Sequence, residues 1–103
     1  MNASSLRDVF RALSKRYALE ILSCLAGGDK NITEISNETG IPYTSVQQTV
    51  STLERAGLVR TVYDRDPSSK RPIRRVFVNN FMIIITPETI RKAVMESLCI
   101  TGG

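Results

Sequence analysis

The chain has no histidine. That removes Ser-His and Cys-His catalysis, the His-Glu-x-x-His zinc motif and any histidine pH switch. Cysteine is scarce: Cys24 and Cys99 stand far apart with no other Cys or His beside them. No ordinary zinc site can be built from that pair, so neither a metal nor an organic cofactor is expected. Phosphate-cradling loops of the G-x-x-x-x-G-K-[ST] or G-x-G-x-x-G type are absent, and so is a catalytic triad; the expectation is that this is not an enzyme and has no catalytic residues. Long apolar runs are missing as well. The longest, Phe81 to Ile85, has five residues, far short of a membrane span, so no membrane partner is expected. The opening Met1-Asn2-Ala3-Ser4-Ser5 lacks the basic-then-apolar pattern of a secretory signal, which makes the cytoplasm, with reduced thiols, the expected compartment.

What is present reads as one ordinary domain. The chain has 103 residues, 42% hydrophobic and 23% charged, which excludes wholesale disorder and allows one modest core. Net charge is +4, unevenly placed. Residues 1–59 carry six Lys/Arg against six Asp/Glu, and residues 76–103 two against two. The whole excess therefore sits in 60–75, where Arg60, Arg65, Lys70, Arg71, Arg74 and Arg75 face only Asp64 and Asp66. A local basic patch on a balanced domain points to an anionic partner, with nucleic acid ahead of membrane because no basic amphipathic helix accompanies it.

Periodicity gives the elements. Leu6, Val9, Phe10 and Leu13 make one helical stripe, with Ser4 or Ser5 as N-cap. Tyr17 or Ala18, Ile21, Leu22 and Leu25 make a second, stopped by Gly27-Gly28. The two stripes are either separate helices meeting near Ser14-Lys15 or one helix broken there. A short helix is predicted over about Thr33–Thr39, capped by Asn31 or Thr33, with Ile32 and Ile35 inward and Gly40 ending it. Pro42 then opens a helix over about Tyr43–Ala56, seamed by Val46, Val50 and Leu53 and closed by Gly57. From Leu58 the period is two, so a strand runs to the loop Asp66–Pro72, whose prolines are expected to end the strand pairing. A second strand starts at Ile73 or Arg74. Phe81, Ile83 and Ile85 continue an inward face beyond Asn79-Asn80, which is either a bulge, the favoured reading, or a two-residue hairpin turn. Thr86, Pro87 and Glu88 open a last helix lined by Ile90, Ala93, Val94 and Leu98. Cys24, beside the second stripe, reads as a small core hydrophobe; Cys99 is a bland thiol or an intersubunit bridge.

The functional signal lies at 35–50. Ile35 anchors a first helix, Ser36 is small where two helices approach, Gly40 turns the chain, Ile41 plugs the angle, and Val46 and Val50 seat a second helix. This is helix-turn-helix spacing. The rotation of about 100° per residue sends Thr44, Gln48, Ser51 and Arg55 to the face opposite the seam, flanked by Ser45, Gln47 and Thr52. Short hydroxyls and glutamines suit base edges in a major groove, where Gln bonds adenine in bidentate fashion. Thr44, Ser45, Gln47, Gln48 and Ser51 are the predicted base readers. Arg55, Lys70, Arg71, Arg74 and Arg75 are the predicted phosphate contacts, although Arg74 and Arg75 point to opposite strand faces. Tyr43 either joins them or packs against the turn.

Three stretches, Phe10 to Leu22, the helix-turn-helix itself and Leu53-Glu54-Arg55-Ala56-Gly57-Leu58-Val59-Arg60, resemble the arsenic-repressor-like (ArsR-type) winged helix-turn-helix regulators. Phe81–Glu88 is similar to archaeal relatives. The resemblance covers about residues 6–98 and implies a mainly α fold with a small antiparallel hairpin, ordered α-α-α-α-β-β-α. It implies a recognition helix over 43–56, a wing over Leu58–Val78 lying on phosphates or in the minor groove, and a two-fold dimer formed by the first and last helices. The chain lacks the Cys/His clusters of metal-sensing members, and no effector is assigned. The predicted dimer residues are Leu6, Val9, Phe10, Leu13, Ile90, Val94 and Leu98. The expected partners are double-stranded DNA and a second copy of the chain; the alternative is a winged-helix protein-interaction or chromatin-architectural module without sequence preference.

Overall fold

The computed structural model describes the backbone of residues 3–102 and the side chains of 5–97. In chain order it has α1 (Ala3–Leu13), α2 (Ala18–Leu25), β1 (Lys30–Asn31), α3 (Ile32–Thr39), α4 (Tyr43–Arg55), β2 (Val59–Arg65), β3 (Pro72–Val78) and α5 (Pro87–Gly102). The strands form one antiparallel sheet in the order β1-β3-β2. No described helix is long and apolar enough to cross a membrane.

The first two stripes are separate helices joined by a turn, in which the Ser14 and Lys15 amides donate to Phe10 and Ala12 carbonyls. Helix α1 already begins at Ala3, so neither Ser4 nor Ser5 is its cap. Asn31 caps α3: its side chain accepts from the Glu34 amide at 2.9 Å while the Glu34 carboxylate accepts from the Asn31 amide at 3.0 Å, satisfying donors that a helix start leaves open. Gly40 ends α3 at φ 76°, where a side chain is strained. The Ser36 hydroxyl donates to the Ile41 carbonyl at 2.6 Å and fixes the turn into α4. At the other end of the chain, the Thr89 amide donates to the Thr86 hydroxyl at 3.1 Å and caps α5.

One core joins all of this. Ile21, Leu25, Ile32, Ile35, Val46, Val50, Leu53, Val59 and Val76 are fully buried, each stabilising the fold by about 1.5–3 kcal/mol through removal from water. Val9 and Ala12 bring α1 into the same cluster.

Further expectations from the sequence are corrected. Strand β1 has no signal in the sequence: Lys30 and Asn31 pair with Val76 and Arg75 and form the third strand of the sheet. The β2–β3 ladder ends at the loop prolines as expected, but β3 begins at Pro72 and not at Ile73 or Arg74, with Pro72 opposite Arg65 as the last pair; a proline is tolerated at the first residue of a strand. Asn79-Asn80 is neither bulge nor hairpin turn. Strand β3 ends at Val78, the Asn79 amide and side chain bond the Leu58 and Gly57 carbonyls, and 79–86 runs on without regular structure. Its inward face is not formed either: Ile83 packs on the core, but Phe81 and Ile85 are exposed. The alternation resembles a strand, yet among the described residues no strand pairs with it.

Candidate nucleic-acid interface

Helix α4 buries Val46, Thr49, Val50 and Leu53 and turns its other face outward. Thr44, Gln48 and Arg55 are exposed; Ser45, Gln47, Ser51 and Thr52 are half-buried on its flanks. Thr52 donates to the Gln48 carbonyl at 3.1 Å, and Arg55 donates to the Thr52 hydroxyl at 3.4 Å. The Thr49 hydroxyl, the buried polar group of α4, reaches the Arg16 carbonyl at 3.4 Å. Tyr43 is exposed at the start of the helix.

The hairpin is bolted to α4 at its base. Glu54 accepts from the Thr61 hydroxyl at 2.7 Å and the Thr61 amide at 3.0 Å. Its other oxygen accepts from Arg74 at 3.2 Å, and Arg74 also donates to the Ser51 hydroxyl at 3.2 Å. The Thr61 hydroxyl, then its amide and the Arg74 guanidinium, hold the Glu54 carboxyl below its usual range against the opposing effect of burial. The Arg74 side chain is only 14% exposed, and its Nε is buried without a partner among the described residues. Arg75, on the other face, pairs with Asp29 at 2.9 Å. Both cations predicted to touch phosphate at the strand base are thus engaged within the chain, and Ser51 shares its hydroxyl with Arg74.

The tip is different. The Asp66 amide bonds the Arg71 carbonyl and the Lys70 amide bonds the Asp66 carbonyl, each at 2.9 Å. Lys70 closes this turn at φ 62°, a left-handed conformation that a lysine adopts at a cost of roughly 1–2 kcal/mol. Arg65, Lys70 and Arg71 are exposed and form no ion pair among the described residues.

No motif or local charge excess in the sequence marks Lys15 and Arg16. The turn between α1 and α2 carries them to the edge of α4, where they line one groove with Ser45, Gln48, Thr49 and Thr52. The one available signal was their adjacency in Ser14-Lys15-Arg16-Tyr17, hidden by the charge balance of 1–59.

The expected dimer residues divide. Phe10, Ile90 and Val94 are exposed, joined by Met95 and by Met82 and Ile84 of the connector. Leu6 and Leu13 are half-buried. Val9 is 3% exposed and belongs to the protomer's own core, so it is not free for a partner. Leu98 and Cys99 lie outside the described side chains. Cys24 packs half-buried against the core, as expected, and in addition its thiol donates to Glu38 at 3.2 Å. Burial, then that carboxylate, pushes the thiol's pKa up. No group of three or more Cys, Asp or Glu able to hold a metal occurs among the described residues.

Residues 17–62 match the family model of the IclR helix-turn-helix domain, a span from the start of α2 into β2. No curated protein matches the sequence. Among solved structures, the chain is similar to an ArsR-family transcriptional regulator at 18% identity and TM-score 0.61, over 95% of this chain and 92% of that one. It is similar to the homodimeric winged helix-turn-helix DNA-binding domain of a possible ArsR-family regulator from Mycobacterium bovis, at 19% identity and TM-score 0.60, over 96% and 80%. NolR from Sinorhizobium fredii aligns at 19% identity and TM-score 0.59, over 98% and 88%. With the order of elements, the glycine turn of the motif and the hairpin bolted behind α4, these likenesses establish the architecture: the chain folds as a winged helix-turn-helix domain.

Proposed function

We propose that this protein is a sequence-specific, double-stranded DNA-binding transcriptional regulator that acts as a homodimer in the cytoplasm. The observation that carries the reading is the outer face of α4: Thr44, Ser45, Gln47 and Gln48 form a polar, uncharged strip on its exposed and half-buried side, next to a basic hairpin tied to the same helix through Glu54. That strip offers donors and acceptors to base edges in a major groove, while Lys70 and Arg71 at the hairpin tip, with Arg55, supply phosphate contacts that position it. Tyr43 stands where it can add one more. Ser51 and Arg74 act by holding the wing, and Arg75 by anchoring the sheet edge to Asp29.

The dimer reading rests on apolar surface and shape. Phe10 on α1 and Ile90, Val94 and Met95 on α5 are left open, and α5 packs against α1 within the protomer. The radius of gyration is 16.3 Å and the chain extends 55 × 24 × 21 Å, whereas a compact chain of this length has a radius of gyration of about 13 Å. A two-fold pairing of α1 and α5, with Leu6 and Leu13 at its margin and Leu98 further along α5, covers this surface. It sets two recognition helices about 34 Å apart, one turn of DNA. That a Mycobacterium bovis domain of the same fold is homodimeric supports self-association here. Within the wider group, the ArsR-type likeness of 10–22 favours that subfamily, while the fold is shared with other winged-helix regulators; the archaeal likeness of 81–88 rests on sequence alone.

Selection of bound sites from a random duplex library tests the function. The expected result is an inverted repeat with half-sites one turn apart. Recovery of duplexes with no common sequence would replace the regulator with an architectural or interaction module.

A further inference from the structure

The groove between the α1–α2 turn and α4 has features that the recognition helix and wing do not account for. Lys15 and Arg16 project from the turn, both exposed, and line it with Tyr17, Ser45, Gln48, Thr49 and Thr52. On the helical wheel of α4, Ser45, Thr49 and Thr52 lie to one side of Gln48, whereas Gln47 and Ser51 lie to the other, with Arg74 of the wing. The turn and the wing therefore flank the same glutamine from opposite sides.

The turn is built to hold its place. Thr49 of α4 donates to the Arg16 carbonyl, tying turn to helix. Tyr17 sits at φ 75°, a left-handed conformation that is unfavourable for a bulky residue and that the surrounding packing maintains. Its ring packs on the core, and the Arg16 guanidinium lies 4.9 Å from the ring centre, a stacking that limits where that cation can go. The nearby acids do not neutralise the pair. Asp8 bonds Arg11, and neither Lys15 nor Arg16 has an ion pair among the described residues, Glu20 included. Elsewhere Lys30, Arg74, Arg75 and Arg91 each meet a carboxylate.

We propose that the α1–α2 turn is a second phosphate grip: Lys15 and Arg16 contact the DNA backbone on the side of α4 away from the wing, so that each protomer holds the duplex on both sides of Gln48. The inference rests on the DNA-binding reading above. Paired grips of this kind fix the roll of α4 in the groove, which a wing on one side alone leaves free.

The test is affinity for a mixed-sequence duplex of about 30 base pairs, close to three helical turns, measured over a salt series. Wild type, Lys15→Gln, the double variant Lys15→Gln/Arg16→Gln, and Arg71→Ala at the wing tip are compared. Each lost phosphate contact lowers the slope of log K against log salt by roughly 0.9. The proposal expects a loss of about one per protomer for Lys15→Gln and about two for the double variant. The single variant leaves the Arg16–Tyr17 stack intact, so it reports even if the double variant is unstable. Unchanged slopes in both Lys15 variants, with a reduced slope for Arg71→Ala, overturn the second grip and leave DNA binding standing. A wild type with no salt-dependent binding to duplex overturns the DNA-binding reading itself, and this proposal with it.

Discussion

Arg71 and Arg74 are near neighbours on one basic hairpin, yet they have opposite surroundings. Arg74, at the base, is mostly buried between Glu54 and Ser51 of α4 and holds the wing against the helix. Arg71, at the tip, is exposed and meets no carboxylate among the described residues. The charge excess of 60–75 is therefore not one uniform patch. Its base cations set an angle, and its tip cations remain open to an anion. Net charge counts both alike, so the geometry of pairing, and not the count, decides which side chains can meet DNA.

Breaking the base has the largest expected effect. Glu54→Ala leaves Arg74 largely buried without its carboxylate and removes the acceptor of two Thr61 bonds. A loss of about 1–3 kcal/mol in urea unfolding is expected. Arg74→Met is expected to cost less than Glu54→Ala, because the Glu54 left behind is 39% exposed and keeps both Thr61 donors, whereas Glu54→Ala leaves the more buried charge of Arg74 without its carboxylate.

The tip behaves in the reverse way. Arg71→Ala should leave unfolding within about 0.5 kcal/mol of wild type while lowering the salt slope of DNA binding by roughly one per protomer. If Arg74→Met lowers that slope as much as Arg71→Ala does, the division between base and tip fails.

Smaller effects sharpen the picture. Arg75–Asp29 is a partly exposed pair, so a double-mutant cycle with Arg75→Ala and Asp29→Ala should give a coupling of only about 0–1 kcal/mol. The smallest effect is acid sensitivity. The Glu54 carboxyl is held below its usual range when folded. Its contribution is therefore fully present above the unfolded pKa and is lost as pH falls through the lower, folded one. Solvent screening keeps this modest, since Glu54 is 39% exposed. Hydrogen exchange at the Thr61 amide should lose protection below the ordinary carboxylate range in wild type and show no such dependence in Glu54→Gln.

Much of the fold is legible in the sequence because it is periodic. The seam Val46, Val50, Leu53 and the stripe Ile21, Leu25 have helical spacing, and Gly40 marks a turn that needs a left-handed residue. Strand β1 is invisible for the opposite reason: two residues have no period, and Lys30-Asn31 becomes a strand only because β3 offers a free edge. The connector misleads because Phe81, Ile83 and Ile85 alternate like a strand with nothing to pair against. At the site, strand parity separates Arg74 from Arg75. That Glu54 waits for one and Asp29 for the other depends on packing between distant segments, which spacing does not encode. Lys15 and Arg16 escape notice because acids elsewhere in 1–59 cancel their charge on paper though not in space.

The central claim is that α4 reads the sequence while the wing tip grips the backbone. The most direct test is binding of wild type, Gln48→Ala and Arg71→Ala to a selected site and to its single-base variants across a salt series. Gln48→Ala is expected to lose preference at one base pair per half-site, about 1–3 kcal/mol per contact, with the salt slope unchanged. Arg71→Ala is expected to weaken every sequence alike and flatten the slope. Preference lost from Arg71→Ala with a flattened slope from Gln48→Ala would contradict the claim, because the wing would then be reading and the helix only docking.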